Sequence, residues 1–311
     1  MPAIATHYIF VNDLIKKEDK YHDLISLAGQ GPDPFFFYGF SFSKRENKKE
    51  VREFGSFLHH IDPSIMYNYM FDYVRRHQKH KDILLAFIKG FMFHYCLDRN
   101  AHPYIFYFSG FSSDPKEAKK YGLKHATFET YIDALEMKQR NIKMNKCKML
   151  NCDDKELKIV SKMFKYLALD LFDNKNIDDL SYYNSVKDMR FVYSFLNSPA
   201  KIKKVLFMAF AHNTPLNAMS TPLNVKKLDK YDLFNEKHEK WLNATNGNMR
   251  FESFFDLYEN AKIDASKVCY FIDKFISNED IKNNIIKFTY EIDHDGFKVG
   301  STKKYFKEKI K

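Results

Sequence analysis

The chain has 311 residues, 45% apolar and 29% charged, with only 10 Gly and 9 Pro, which excludes collagen-like, linker-dominated and disordered classes and disfavours a turn-rich β-sandwich. Fifty Lys+Arg against 40 Asp+Glu leave a formal charge of +10, a balance that suits nucleic acid, anionic membranes or phosphorylated substrates without choosing among them. Four cysteines, with Cys96 in an apolar run and Cys147 and Cys152 five apart, neither staple a chain this long nor form a CxxC pair, so they read as free thiols in a reducing compartment.

The first twenty residues show no basic segment followed by an apolar one, so no secretory leader is expected and a cytoplasmic location is implied. Apolar periodicity predicts a helix over 8–28. Gly29-Gln30-Gly31-Pro32-Asp33-Pro34 ends it, and the prolines flanking Asp33 forbid a helix there and hold its carboxylate on a stiff turn. Phe35-Phe36-Phe37-Tyr38 reads first as core, and otherwise as a lipid cleft or a base-stacking wall. Helices are predicted over 63–77, 80–101 and 125–140, with a loop at 109–116. The most apolar stretch, Ile83 to Tyr107, carries Lys89, His94, Asp98, Arg99 and His102, too polar a set for a membrane span.

Leu157, Val160, Phe164, Leu167 and Leu171 step by three and four, as one stripe of a helix does. Further helices are expected over 181–196 and 199–212, with breakers at Asn197-Ser198-Pro199 and from Asn213 to Pro222. Phe251, Phe254, Phe255, Tyr258 and Ala261 repeat the stripe, and Val268, Phe271 and Phe275 extend it. No strand run, repeat or linker competes. The expected fold is all-α, one domain over 1–311. Within it, residues 1–140 bind metal, residues 141–300 complete the helical fold, and a basic tail over 301–311 reads as solvated or frayed.

The chemistry concentrates in the first 130 residues. His94, Asp98 and His102 stand at i, i+4 and i+8, and each step drifts by only about 40°, so the three share a face. Phe91, Phe93, Tyr95 and Leu97 surround them, and an Asp buried between two His requires a counter-charge that a metal ion supplies. His125 and Glu129 repeat the i, i+4 spacing on the next helix. His7, Asp33 and His59 are further candidates, with His60 the alternative to His59. His94 and His102 are about 12 Å apart along the axis, too far to share one ion. Eight candidates therefore ask for two or three metals, with Asp98 midway as the bridge, and imidazole plus carboxylate points to zinc. His22, His60, His77, His80, His212, His238 and His294 read as surface or satisfied core residues.

Taken in order, Thr6-His7, Gly31-Pro32-Asp33-Pro34, His59-His60-Ile61-Asp62-Pro63, the run Phe91 to Tyr104 and His125-x3-Glu129 resemble the bacterial zinc-dependent phospholipase C family, within the all-helical superfamily that includes the zinc single-strand nucleases. The resemblance covers about the first 130 residues and is looser beyond. It implies a first zinc on Asp33, His59, His94 and Asp98, a second on His102, His125 and Glu129, and a third on His7, Asp98 and the N-terminal amine. In this chain that amine would be Pro2 after removal of the initiator Met. The step from Asp98 to His102 is four residues where secreted members of the family keep six.

The implied reaction is phosphodiester or phosphomonoester hydrolysis, with Asp33 orienting or deprotonating the attacking water. The expected substrate is a phospholipid or other phosphodiester, at an anionic membrane surface if the charge is used. A single-strand nuclease is the runner-up, and a non-catalytic zinc-stabilised module that binds lipid or a partner is the third reading.

Overall fold

The computed structural model describes residues 4–41, 45–110, 115–196 and 231–307, without the side chains of 115–120. The predicted helix over 199–212, the breakers at 197–199 and 213–222, and His212 lie outside the described residues. Ten α-helices are present among the described residues: α1 (Ile4–Asn12), α2 (His22–Ala28), α3 (Lys48–His60), α4 (Pro63–Arg76), α5 (Lys81–Ser109), α6 (Pro115–Gln139), α7 (Asp154–Leu171), α8 (Ser181–Leu196), α9 (Phe254–Ile276) and α10 (Lys282–Thr289). Short 3-10 turns occupy Asp33–Phe37, Gln78–His80 and Lys148–Leu150. The one sheet among these residues is a two-stranded hairpin, β1 (Trp241–Leu242) antiparallel to β2 (Met249–Arg250) with Trp241 opposite Arg250. The all-α class therefore holds, and no described helix is long and apolar enough to cross a membrane.

Helix α5 is the axis of the molecule. It packs against α1, α2, α4, α6, α7 and α9, and its residues from Leu84 to Leu97 are buried almost without interruption. A helix buried on all sides must be apolar all round, which is why this stretch has the highest hydropathy of the chain. Gly90 permits the closest crossing, since a Cβ there would strike the Ile25 carbonyl and the Ala28 methyl of α2. The surrounding helices start on local signals. Asp62 accepts from the Ser64 N–H with Pro63 at the first position, Asp153 accepts from Lys155 and Glu156 N–H, and Ser253 with Asp256 closes a reciprocal capping box.

Several expected boundaries move. The segment 8–28 divides into α1 and α2. Helix α5 runs eight residues past the expected end, through Pro103 to Ser109, and α6 begins at Pro115 rather than near 125. Asp33 opens a 3-10 turn instead of an irregular one: Pro34 sits at its N-terminal end, where a missing N–H and a fixed φ are tolerated. Phe35, Phe37 and Tyr38 are core, so the cleft-wall reading of that run fails; Phe36 alone is partly exposed, its ring 5.3 Å from that of His59. The basic tail is docked as far as it is described. Lys304 and Tyr305 donate their N–H groups to the Ala244 carbonyl, and Lys307 donates to Tyr107.

Candidate metal centre

Five segments deliver the eight candidate residues to one place. The second turn of α1 brings His7, the 3-10 turn brings Asp33, the last turn of α3 brings His59, the middle of α5 brings His94, Asp98 and His102, and α6 brings His125 and Glu129. Helix α1 is fixed by a carboxylate from another helix: Asp133 of α6 accepts from the Ala5 N–H (3.1 Å), the Thr6 N–H (2.9 Å) and the Thr6 hydroxyl (2.7 Å), and Lys146 balances its charge at 2.5 Å. The first N–H groups of any helix need such acceptors, and here meeting that need also sets where His7 stands.

The donor atoms form three groups that could each hold a metal ion, the first two sharing His94: Asp33, His59 and His94; His7, His94 and Asp98; His102, His125 and Glu129. The contacts form two runs joined at His94, whose donor atom lies within 4.8 Å of those of Asp33 and His59. His59 Nε2 lies 3.1 Å from Asp33 Oδ1, His94 Nε2 2.8 Å from Asp98 Oδ2, and His7 Nε2 3.1 Å from Asp98 Oδ1. His102 Nε2 then lies 3.6 Å from Asp98 Oδ1 and 3.3 Å from Glu129 Oε1, which is 3.1 Å from His125 Nε2. Ligands set tetrahedrally about 2.0–2.1 Å from one ion stand roughly 3.3 Å apart, the scale of these separations. Asp98 touches His7, His94 and His102, the position expected of a bridge. The four-residue step to His102 keeps that contact.

Three observations show that the residues fit a cation. First, His59, His94 and His102 each turn Nδ1 to a backbone carbonyl, of Gly55 (2.8 Å), Gly29 (3.0 Å) and His294 (2.8 Å). With the proton held on Nδ1, the lone pair of Nε2 faces the centre, as an outer shell imposes on metal-bound imidazole. Second, His94 Nε2 and Asp98 Oδ2 are buried and 2.8 Å apart, yet they are not aligned as a hydrogen bond. Atoms that converge on a shared point, rather than on each other, have this geometry. Third, Asp33, His59, Asp98, His102 and Glu129 are all buried, with His94 at 0% exposure, and such a concentration of charge is expensive without a counter-ion.

Electrostatics separate the groups. Burial would raise the Asp98 carboxyl, but His102, His94 and His7 together hold it well below the ordinary range. Asp33 is held low in the same sense, burial being outweighed by positive charge that includes His59 and His94. Burial and the neighbouring His94 lower His7. His102 resists its burial, because Asp98 and Glu129 raise it to about 9. Glu129 overcomes its burial to reach about 2, with His125 and His102 among the causes.

Of the other described histidines, His60 turns away: its Nδ1 donates to Ser56 and the side chain is exposed, so His59 is the one that meets Asp33. His77 Nδ1 is paired with the Tyr73 carbonyl, and His22 Nδ1 with Asp23, while His22 Nε2 has no hydrogen-bond partner among the described residues. His294 is the correction. The sequence reads it as a surface or satisfied residue, whereas it is fully buried, with neither ring nitrogen hydrogen-bonded among the described residues. Its ring lies 5.5 Å from that of His59 and 5.7 Å from that of His94. No helical spacing could have flagged it, since it sits in a turn 192 residues from the His102 it contacts.

Comparison with family models, with curated proteins and with solved structures returns no match in any of the three.

Proposed function

We propose that the protein is a zinc-dependent phosphoric ester hydrolase, most like the phospholipase C family, and that it cleaves a phospholipid phosphodiester. The observation that carries this reading is the series of donor groups from Asp33 to His125, joined through His94 and Asp98, with three imidazoles locked by backbone carbonyls to present Nε2. The donors are nitrogen and oxygen only. Cys96, the cysteine on α5, is buried and serves no group, and such a donor set favours zinc among borderline ions. Asp33, His59 and His94 with Asp98 would hold one ion and His102, His125 and Glu129 a second. His7 with Asp98 would begin a third.

When bound, zinc supplies Lewis acidity toward a phosphoryl oxygen and lowers the pKa of water. The chain's own residues do the rest. Asp98, facing His7, His94 and His102, would carry the charge that two cations could share. The lowered pKa of Asp33 makes it a weak base, so it would orient the attacking water rather than remove its proton. Glu129, ionised near neutrality, keeps His125 and His102 aimed inward.

One observation favours a second reading. The cavity lined by His7, Asp98, His102 and Glu129 measures only about 20 Å3, room for a water but not a headgroup. That suits a zinc-stabilised module that binds a lipid or partner elsewhere. The test is a panel of short-chain phospholipids and chromogenic phosphodiesters, beside single-stranded DNA and RNA, on zinc-loaded protein. Phospholipid hydrolysis that persists at moderate salt supports the proposal, because metal and acyl contacts are weakly screened. Strand cleavage without lipid turnover would favour the nuclease, whose binding falls steeply with salt. Zinc without any turnover would favour the module.

A further inference from the structure

The C-terminal turn Asp293–Gly296 touches both ends of the candidate metal centre. The His294 N–H donates to the His59 carbonyl at 3.2 Å, while the His294 carbonyl accepts from His102 Nδ1 at 2.8 Å. One residue thus ties the last turn of α3, which carries His59, to the segment of α5 that carries His102. The turn is itself fixed. Asp293 Oδ1 accepts from the N–H groups of Asp295 and Phe297, and Tyr95 of α5 donates its hydroxyl to the Ile292 carbonyl at 2.8 Å. Gly296 has φ +75°, and a Cβ there would strike the Arg99 carbonyl and the Pro103 ring. Pro103 has no N–H for that carbonyl, so the helix leaves a shallow step into which the glycine fits.

The next contacts lead back to the second group. Asp295 Oδ1 stands 3.8 Å from His102 Nδ1, and Asp295 Oδ2 binds Lys303 at 2.6 Å. The Lys303 ammonium lies 4.1 Å over the ring of Phe106, which also packs against the rings of His125 at 4.7 Å, Phe297 at 5.8 Å and His102 at 5.9 Å.

We propose that this turn is the outer shell of the metal centre, with His294 acting through its main chain and Asp295 through its carboxylate to position His102 for the ion it shares with His125 and Glu129. The inference rests on the metal reading of the site but not on phosphoester hydrolysis. Outer-shell partners of metal-bound histidines set ring orientation and basicity, and losing one typically weakens metal binding about 10- to 100-fold.

The experiment is a zinc titration of the full chain against a competing chromophoric chelator, with thermal unfolding of the metal-free protein alongside. Asp295→Asn, which keeps the shape, and Gly296→Ala, which lifts the turn from α5, should each weaken one class of zinc site about 10-fold or more, leaving the other near wild type. If Gly296→Ala does not fold, Asp295→Asn decides. Unchanged zinc affinity in Asp295→Asn and Gly296→Ala, with only a lower melting temperature, would overturn the inference and reduce the turn to packing. No zinc binding by the wild type would instead sink the metal reading on which the inference stands.

Discussion

At the scale of single residues, Asp98 and Gly31 show how narrowly the centre is determined. Asp98 is the carboxylate on which His7, His94 and His102 converge, and its charge is what two neighbouring cations would share. Asp98→Asn keeps the shape and removes that charge. The expected outcome is the loss of at least one zinc equivalent, with hydrolysis abolished and the helical circular dichroism retained; unchanged stoichiometry would make Asp98 an ordinary buried carboxylate. Gly31 has φ +53°, and a Cβ there would fall on the His94 ring itself. Gly31→Ala therefore strains the backbone and displaces a ligand at once. A destabilisation of about 1–3 kcal/mol is expected together with weaker metal binding, read by unfolding and by zinc titration. The Gly-Pro-Asp-Pro motif singles out Asp33, yet its glycine makes the closest approach to the helix that carries the other ligands.

At the scale of elements, α1 is where a structural requirement and the site meet. Asp133 holds the start of α1 against α6, and Glu136, one turn further along α6, is buried beside it. Burial raises the Glu136 carboxyl to about 8, with Arg140 opposing the shift. Because this folded value lies above the unfolded one, the protonated acid favours the fold, and that contribution is lost as pH rises from about 4.5 through about 8. Glu136→Gln removes the titration. The variant should gain stability relative to the wild type above pH 8, by up to a few kcal/mol at about 1.4 kcal/mol per pH unit, and little at pH 5. Melting temperatures of the two proteins across this range check it; a difference that does not depend on pH would show that the Arg140 ion pair, at 3.4 Å, offsets the burial and keeps Glu136 ionised in the fold.

What the sequence discloses of these elements follows from the range of the signals. His94, Asp98 and His102 are legible because a helix repeats every 3.6 residues, so spacing alone places them on one face. The stripes over 157–171 and 254–275 are legible for the same reason. The split of 8–28 into α1 and α2 is not, since its only sequence mark is the charged run Lys16-Lys17-Glu18-Asp19-Lys20, which reads equally as a solvated helix face, and the cap on α1 comes from Asp133, more than a hundred residues away. Pro103 reads as a stop but lies inside α5, where tertiary packing from the C-terminal turn overrides it. The role of His294 is hidden for a related cause: its link to the centre is a main-chain carbonyl, which carries no residue identity.

At the scale of the whole molecule, gathering five imidazoles, four of them buried, and three buried carboxylates at one point carries a cost that cations would offset. Each zinc site filled at 100 times its dissociation constant should add about 2.7 kcal/mol to the folded state, so chelation should lower the melting temperature in steps matching the sites lost. The most direct measurement is the zinc content of the purified, zinc-saturated and desalted chain by elemental analysis, with Asp98→Asn measured beside it. Two to three equivalents per chain, reduced in the variant, is the result predicted; fewer than one equivalent in the wild type would contradict the account.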